Sequence, residues 1–158
     1  MDNNDVLRKV RYIFDYNDSK MIEIFGQGDL QINRSELSNW LKKDSDPTFV
    51  ELSDFYLATF LNGFIIEKRG KREGPPPIPE KRLNNNIIFR KLKIALDLKS
   101  DDILDLFESI EKRISEHEIS AFLRNPNHKK YRECNDQYLR NLMSGIQLNQ
   151  QKPQKEAP

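Results

Sequence analysis

Cysteine is nearly absent from this sequence. The one residue, Cys134, can form no intramolecular disulfide, and a chain built without disulfides is expected in a reducing cytoplasm. Histidine is as scarce: His117 and His128 are the two residues, and with one thiol they make no cluster of metal-site spacing. Glycine numbers six. The short Gly26-Gln27-Gly28 run has Glu108-Ser109-Ile110 as its internal counterpart, so no phosphate cradle is expected there. Long apolar runs are missing. The longest, around Leu57 to Ile66, is broken by Asn62 and Gly63 and falls short of the roughly 20 residues that cross a bilayer, so no membrane partner is expected. The opening Met-Asp-Asn-Asn-Asp has nothing of a secretory signal. A surplus of either charge is also lacking, with 26 Lys and Arg against 25 Asp and Glu. The whole molecule therefore offers little non-specific attraction to a polyanion, and such binding needs a local patch.

What is present is a duplication. A shift of 82 overlays Asn4–Gly63 on Asn86–Gly145 without a gap, and fourteen of the sixty positions are identical. Each copy reads as four helices. The first spans roughly Asp5 to Phe14, with Leu7, Val10 and Phe14 on one stripe and Phe89, Leu92 and Leu96 as their twins. The second spans Ser19 to Phe25, with Met21, Ile22 and Phe25 inward and Asp18 or Ser100 as the expected N-cap. The third opens with an apolar residue, a cap and a Glu three positions on: Ile32-Asn33-Arg34-Ser35-Glu36 and Ile114-Ser115-Glu116-His117-Glu118. That order is a capping box. The fourth follows Ser53 or Asn135, with Asp54 or Asp136 in the first turn, where the helix dipole favours a carboxylate. Gly63 and Gly145 fall inside it at matching places. Glycine weakens a helix interior, so its double use points to a second backbone lying close, with a helix end there as the alternative.

The expected fold is all-α: two tandem four-helix repeats, 1–66 and 86–149, joined by a Pro-rich basic linker over 67–85 and followed by a disordered tail over 150–158. About sixty residues make a marginal core, so the copies are expected to pack on each other about a pseudo-twofold axis.

The duplication serves as a control on chemistry, because a site built in each copy should occur twice. His117 corresponds to Ser35, His128 to Asp46 and Cys134 to Leu52. No catalytic set is doubled, and neither an enzyme nor a cofactor is expected. The matched carboxylates have structural uses: Glu36 and Glu118 cap, Asp54 and Asp136 start helices, and Asp15 and Asp97 end the first helix near backbone or Arg partners. The matched cations are the candidate contacts. Arg8, Lys9 and Arg11 recur as Arg90, Lys91 and Lys93, and Lys42 recurs as Arg124. As a symmetric pair of patches they would hold phosphates; as a solvated face they would pair with Asp15 or Asp97. A helix-turn-helix is disfavoured by the seven residues Gly26–Ile32 between the second and third helices, and by Glu36, Glu116 and Glu118 early in the would-be recognition helix.

Three runs resemble the YehS-like bacterial family, a duplicated domain of unknown function. They are Asn4-Asp5-Val6-Leu7-Arg8-Lys9-Val10-Arg11-Tyr12, Phe60-Leu61-Asn62-Gly63-Phe64-Ile65 with Lys68-Arg69-Gly70, and Leu83-Asn84-Asn85-Asn86-Ile87-Ile88-Phe89-Arg90-Lys91-Leu92. The resemblance implies a cytoplasmic bacterial protein with two repeats and no assigned reaction. The functional expectation is a non-catalytic helical binding or regulatory module with a protein partner. The alternative is a nucleic-acid-binding regulator using the paired basic patches. A third reading is an enzyme using one copy only, through His117, His128 or Cys134.

Overall fold

The computed structural model describes residues 1–152; the expected disordered tail lies largely outside them. Among the described residues there are eight helices and no strand. The first repeat holds α1 (Asn3–Phe14), α2 (Asp18–Gln27), α3 (Arg34–Leu41) and α4 (Asp54–Arg69). The second holds α5 (Asn85–Ala95), α6 (Ser100–Ser109), α7 (Glu116–Leu123) and α8 (Asp136–Gln151). The last three pairs coincide at both ends under the shift of 82. Helix α4 runs to Arg69 and α8 to Gln151, so the expected boundaries at 66 and 149 fall inside helices. Among the described residues no helix is long and apolar enough to cross a membrane.

Capping explains where each helix begins. In α3, Asn33 accepts from the Glu36 amide at 2.8 Å and Glu36 accepts from the Asn33 amide at 3.1 Å; Ser115 and Glu118 do the same for α7 at 3.1 and 3.0 Å. Helix α1 begins two residues earlier than its apolar stripe implies, because Asp2 and Asp5 form a capping box of their own. Helix α2 is capped by Asn17, whose Oδ1 accepts from the Lys20 amide at 2.8 Å, rather than by Asp18. Three consecutive residues there can cap, and sequence alone does not choose among them. At α6 the cap position is Lys99 rather than Ser100, and the Asp102 carboxylate accepts from its amide at 2.7 Å. Helices α1 and α5 are followed by Asp15 and Asp97 at φ 53° and 52°. This left-handed turn is one that a short polar side chain tolerates, and it accounts for the matched aspartates.

The chain divides into two compact units, and the division does not follow the repeats. The first, Met1–Leu98, contains α1 to α5; the second, from Lys99, contains α6 to α8. In the first unit α4 is central: α2 and α5 pack along it and α1 rests on α3 and α4. The Phe25 ring lies 4.9 Å from Phe60 and 5.5 Å from Trp40, and Trp40 meets Tyr56 edge-on at 5.6 Å. Ile24 rather than Ile22 completes the buried side of α2. In the second unit α6 packs on α8 and α7. Phe107, Phe122 and Tyr138 stand where the first has Phe25, Trp40 and Tyr56, with Tyr138 at 5.1 Å from Phe122 and 6.4 Å from Phe107. Trp40 and Phe122 are equally buried, each 4% exposed.

Gly63 and Gly145 bring backbones together, and neither ends its helix. A Cβ on Gly63 would stand 1.9 Å from the Ile24 carbonyl oxygen, and one on Gly145 would stand 2.8 Å from the Leu106 carbonyl oxygen, its equivalent.

The linker is docked at its end. Residues 71–78 are exposed. The Leu83 amide then donates to Asp54 Oδ2 at 2.9 Å, while Asp54 Oδ1 accepts from Asn3 Nδ2 at 2.7 Å.

Candidate functional site

The matched cations divide into tethered, buried and open groups. Arg8 is half-buried. Its Nη1 donates to the Lys42 carbonyl at 2.7 Å and its Nη2 to Asp5 Oδ1 at 2.9 Å, so it ties the end of α3 to α1. Arg11 donates through Nε to the Tyr16 carbonyl at 3.1 Å and through Nη2 to Asp18 at 2.9 Å. The acidic partners of these arginines are thus Asp5 and Asp18, not the expected Asp15. Lys42 donates to Asn39 Oδ1 at 3.2 Å and to Thr48 Oγ1 at 2.5 Å. Lys9 and Lys93 are half-buried, and Arg90 is exposed; among the described residues no ion pair engages these three. Arg124 is exposed, with Nη1 3.5 Å from His128 Nε2.

Lys91 does not belong to an outer patch. It is 7% exposed, and its ammonium meets Asn62 Oδ1 at 2.5 Å and the linker's Glu80 Oε1 at 2.9 Å. The contact with Glu80 is an ion pair outside hydrogen-bond geometry, and Asn62 Nδ2 is buried without a hydrogen-bond partner. Lys91 therefore clamps the linker to α4 and α5, and the expected symmetry with Lys9 is lost. Helical periodicity placed it off the apolar stripe but could not foresee that the linker would fold back over it. Asp97, too, pairs outside its own helix, with Arg69 at 2.7 Å.

Beside the tethered arginines lies a feature the apolar stripe leaves out. Tyr12 is 67% exposed and Ile94, its equivalent under the shift of 82, is 39% exposed. Each carries a cation at the preceding position and another four residues back: Arg11 and Arg8 beside Tyr12, Lys93 and Arg90 beside Ile94. The signal was available as a large apolar residue at the same off-stripe position in both copies.

Asn4 was likewise only a matched letter in the sequence. Its side chain is 2% exposed; Nδ2 donates to the Trp40 and Val50 carbonyls, both at 2.9 Å, and Oδ1 accepts from the Leu52 amide at 3.0 Å. One amide holds the α3–α4 loop to α1. In the first copy alone, the Lys68 ammonium lies 4.4 Å from the Phe14 ring centroid, near Tyr16 and Phe64, and burial lowers its pKa. Burial, with Glu67 nearby, pushes the Tyr16 hydroxyl up to about 12.

The three residues of the one-copy enzyme reading lie on different elements: His117 on α7, His128 in the loop after it and Cys134 just before α8. Cys134 is buried, and burial with the Asp136 charge pushes its thiol up to about 12, far from the thiolate a nucleophile needs. His117 is exposed on α7. His128 accepts at Nδ1 from the Lys130 amide at 3.0 Å, which is a task within its turn. Among the described residues, no three His, Cys, Asp or Glu side chains group as metal ligands would.

Known proteins match this sequence in both repeats. The family model DUF1456, described as a protein of unknown function, matches residues 3–70 and again 85–151, so each repeat is one copy of the domain and residues 71–84 of the linker are left between. The chain is 43% identical over 148 residues to the uncharacterized protein YehS of Escherichia coli K12, a match covering 93% of this chain and 95% of that protein. No solved structure matches. The chain belongs to the DUF1456 family and carries its domain twice.

Proposed function

We propose that this protein is a non-catalytic helical binding module of the cytoplasm, and that the outer faces of α1 and α5 engage a protein partner. The observation that supports this reading is the matched pair Tyr12 and Ile94, each exposed and set among basic residues. An amphipathic scaffold gains nothing by leaving a large apolar side chain in water twice at one repeat position, whereas apolar groups ringed by cations are what a partner with an acidic rim covers. Several of the polar residues common to both copies have structural employment: Glu36 and Glu118 in capping boxes, Asp15 and Asp97 in left-handed turns.

Tyr12→Ala with Ile94→Ala tests the reading. Tyr12 is 67% and Ile94 39% exposed, so the melting temperature should fall by only a few degrees, about what the loss of the covered part of Ile94 costs. The variant should lose the protein that the wild type retains from nuclease-treated cytoplasm. A partner held equally by both proteins would exclude these faces, and one lost on nuclease treatment would move the reading to nucleic acid. The paired-patch form of the nucleic-acid reading is less favoured on these helices, because Lys91 is buried and Arg8 is engaged on both sides.

A further inference from the structure

The α3–α4 loop of the first repeat and the α7–α8 loop of the second share one backbone, but the first is balanced in charge and the second is basic. In the first, the amides of Asp46, Phe49 and Val50 donate to the carbonyls of Lys43, Asp46 and Asn39 at 2.9, 3.0 and 3.1 Å. In the second, the amides of His128, Tyr131 and Arg132 donate to the carbonyls of Asn125, His128 and Ala121 at 2.9, 3.0 and 3.2 Å. These are the same three bonds moved by 82 residues. Yet residues 42–50 carry two lysines and two aspartates, whereas 124–132 carry Arg124, Lys129, Lys130 and Arg132 with no carboxylate.

The turn itself does not call for those cations, because the first repeat forms it without a charge surplus. One exchange shows how the two loops come to differ in charge. Asp46 Oδ1 accepts from the Thr48 amide at 2.8 Å; at the equivalent place His128 Nδ1 accepts from the Lys130 amide at 3.0 Å. The acceptor is kept and the carboxylate is replaced by a ring. Residues 124–130 are all exposed, as is Arg132. Four cations within nine residues, on a loop of fixed shape whose one carboxylate is Glu133 at its far end, match a ligand of closely spaced negative charge better than they match one carboxylate.

We infer that the loop 124–132 binds the phosphodiester backbone of a nucleic acid. Contact is to phosphates and carries no sequence readout of its own. The inference does not depend on the α1 and α5 faces; with them, the module would hold a protein and a nucleic acid at once. A competing occupant is the acidic outer face of α6 in a second copy of this chain, where Asp101, Asp102, Asp105 and Glu108 are exposed.

The test uses the full chain, a labelled DNA duplex and a single-stranded RNA of equal length, titrated over a range of salt. Whichever probe binds more tightly identifies the source of the phosphates. Duplex binding should weaken with salt at a log–log slope of about −3 to −4, as expected for three or four phosphate contacts. Lys129→Ala with Lys130→Ala should make the slope shallower by about two and weaken binding about tenfold or more at moderate salt, with the melting temperature unchanged. Lys43→Ala, in the first repeat's loop, and the Tyr12→Ala, Ile94→Ala pair should leave binding unchanged, which separates this inference from the proposed protein-binding faces. The inference is overturned if the wild type binds neither probe at low salt, if the double variant binds as the wild type does, or if Lys43→Ala costs as much. It is also overturned if the loop substitutions abolish self-association of the chain while nucleic-acid binding persists.

Discussion

At the scale of single residues, the most consequential side chain is an asparagine with no catalytic look about it. Asn4 satisfies the Trp40 carbonyl at the end of α3 and the Val50 carbonyl and Leu52 amide of the α3–α4 loop. Asn4→Ala strands these groups where water reaches poorly, and each buried orphan costs about 1–3 kcal/mol. A loss of about 2–4 kcal/mol in urea unfolding is expected after partial hydration of the gap; a loss below about 1 kcal/mol would show that the loop holds without it. A second residue-scale effect concerns acid. The Tyr138 hydroxyl donates to Glu118 Oε2. That bond, working against burial and aided by the Ser115 backbone and hydroxyl, holds the Glu118 carboxyl below its ordinary 4.5. A carboxyl with a depressed folded pKa stabilises above the unfolded value, and the contribution is lost as pH falls through the folded one. Wild type should therefore lose stability below 4.5, and Tyr138→Phe should flatten that acid limb in urea midpoints taken against pH.

At the scale of elements, the packing of α2 on α4 and of α6 on α8 is set by one atom that is missing. The Cβ of Gly63→Ala would overlap the Ile24 carbonyl at 1.9 Å, and that of Gly145→Ala would crowd Leu106 at 2.8 Å. Alanine is the better helix former by about 1 kcal/mol, so any net loss measures the forced separation of helices. Gly63→Ala is expected to destabilise by about 3 kcal/mol or more and Gly145→Ala by about 1–2 kcal/mol, the ordinary range for an overpacked site. Equal effects, or a stabilised Gly63→Ala, in thermal and urea melts would mean that the helices slide apart freely. The linker acts as an element as well: Glu80 and Leu83 are fastened to Lys91 and Asp54, leaving 71–78 as its open part.

At the scale of the whole molecule, repeat and compact unit are different divisions of one chain. Helix α5 opens the second repeat but packs along α4 of the first, with Lys91 of α5 bonded to Asn62 of α4. A fragment of residues 1–98 keeps that contact, and one of 1–70 loses it. The longer fragment should melt cooperatively by circular dichroism, whereas the shorter should melt broadly or self-associate to cover α4, since about seventy residues make a marginal core. Equal, sharp melts for both would show that α5 adds nothing to the first unit.

The sequence alone determined the helices, their doubling and the caps of the third and fourth helix in each copy, because capping boxes, helical periodicity and the shift of 82 are local or self-referential signals. It also marked Gly63 and Gly145, since a costly residue written twice implies a contact. It named the basic residues that recur, yet not their fates. Whether Lys91 faces water depended on where the linker returned, and the partners of Arg8 depended on where α3 ended. Tyr12 and Ile94 stand out as a candidate face because Arg8, Arg11 and Lys91 of the same helices are engaged within the fold. These outcomes rest on contacts between residues far apart in the chain, such as Glu80 on Lys91 and Asn62 beneath it. No pattern within one helix carries that information, because burial is a property of what the rest of the chain lays against it.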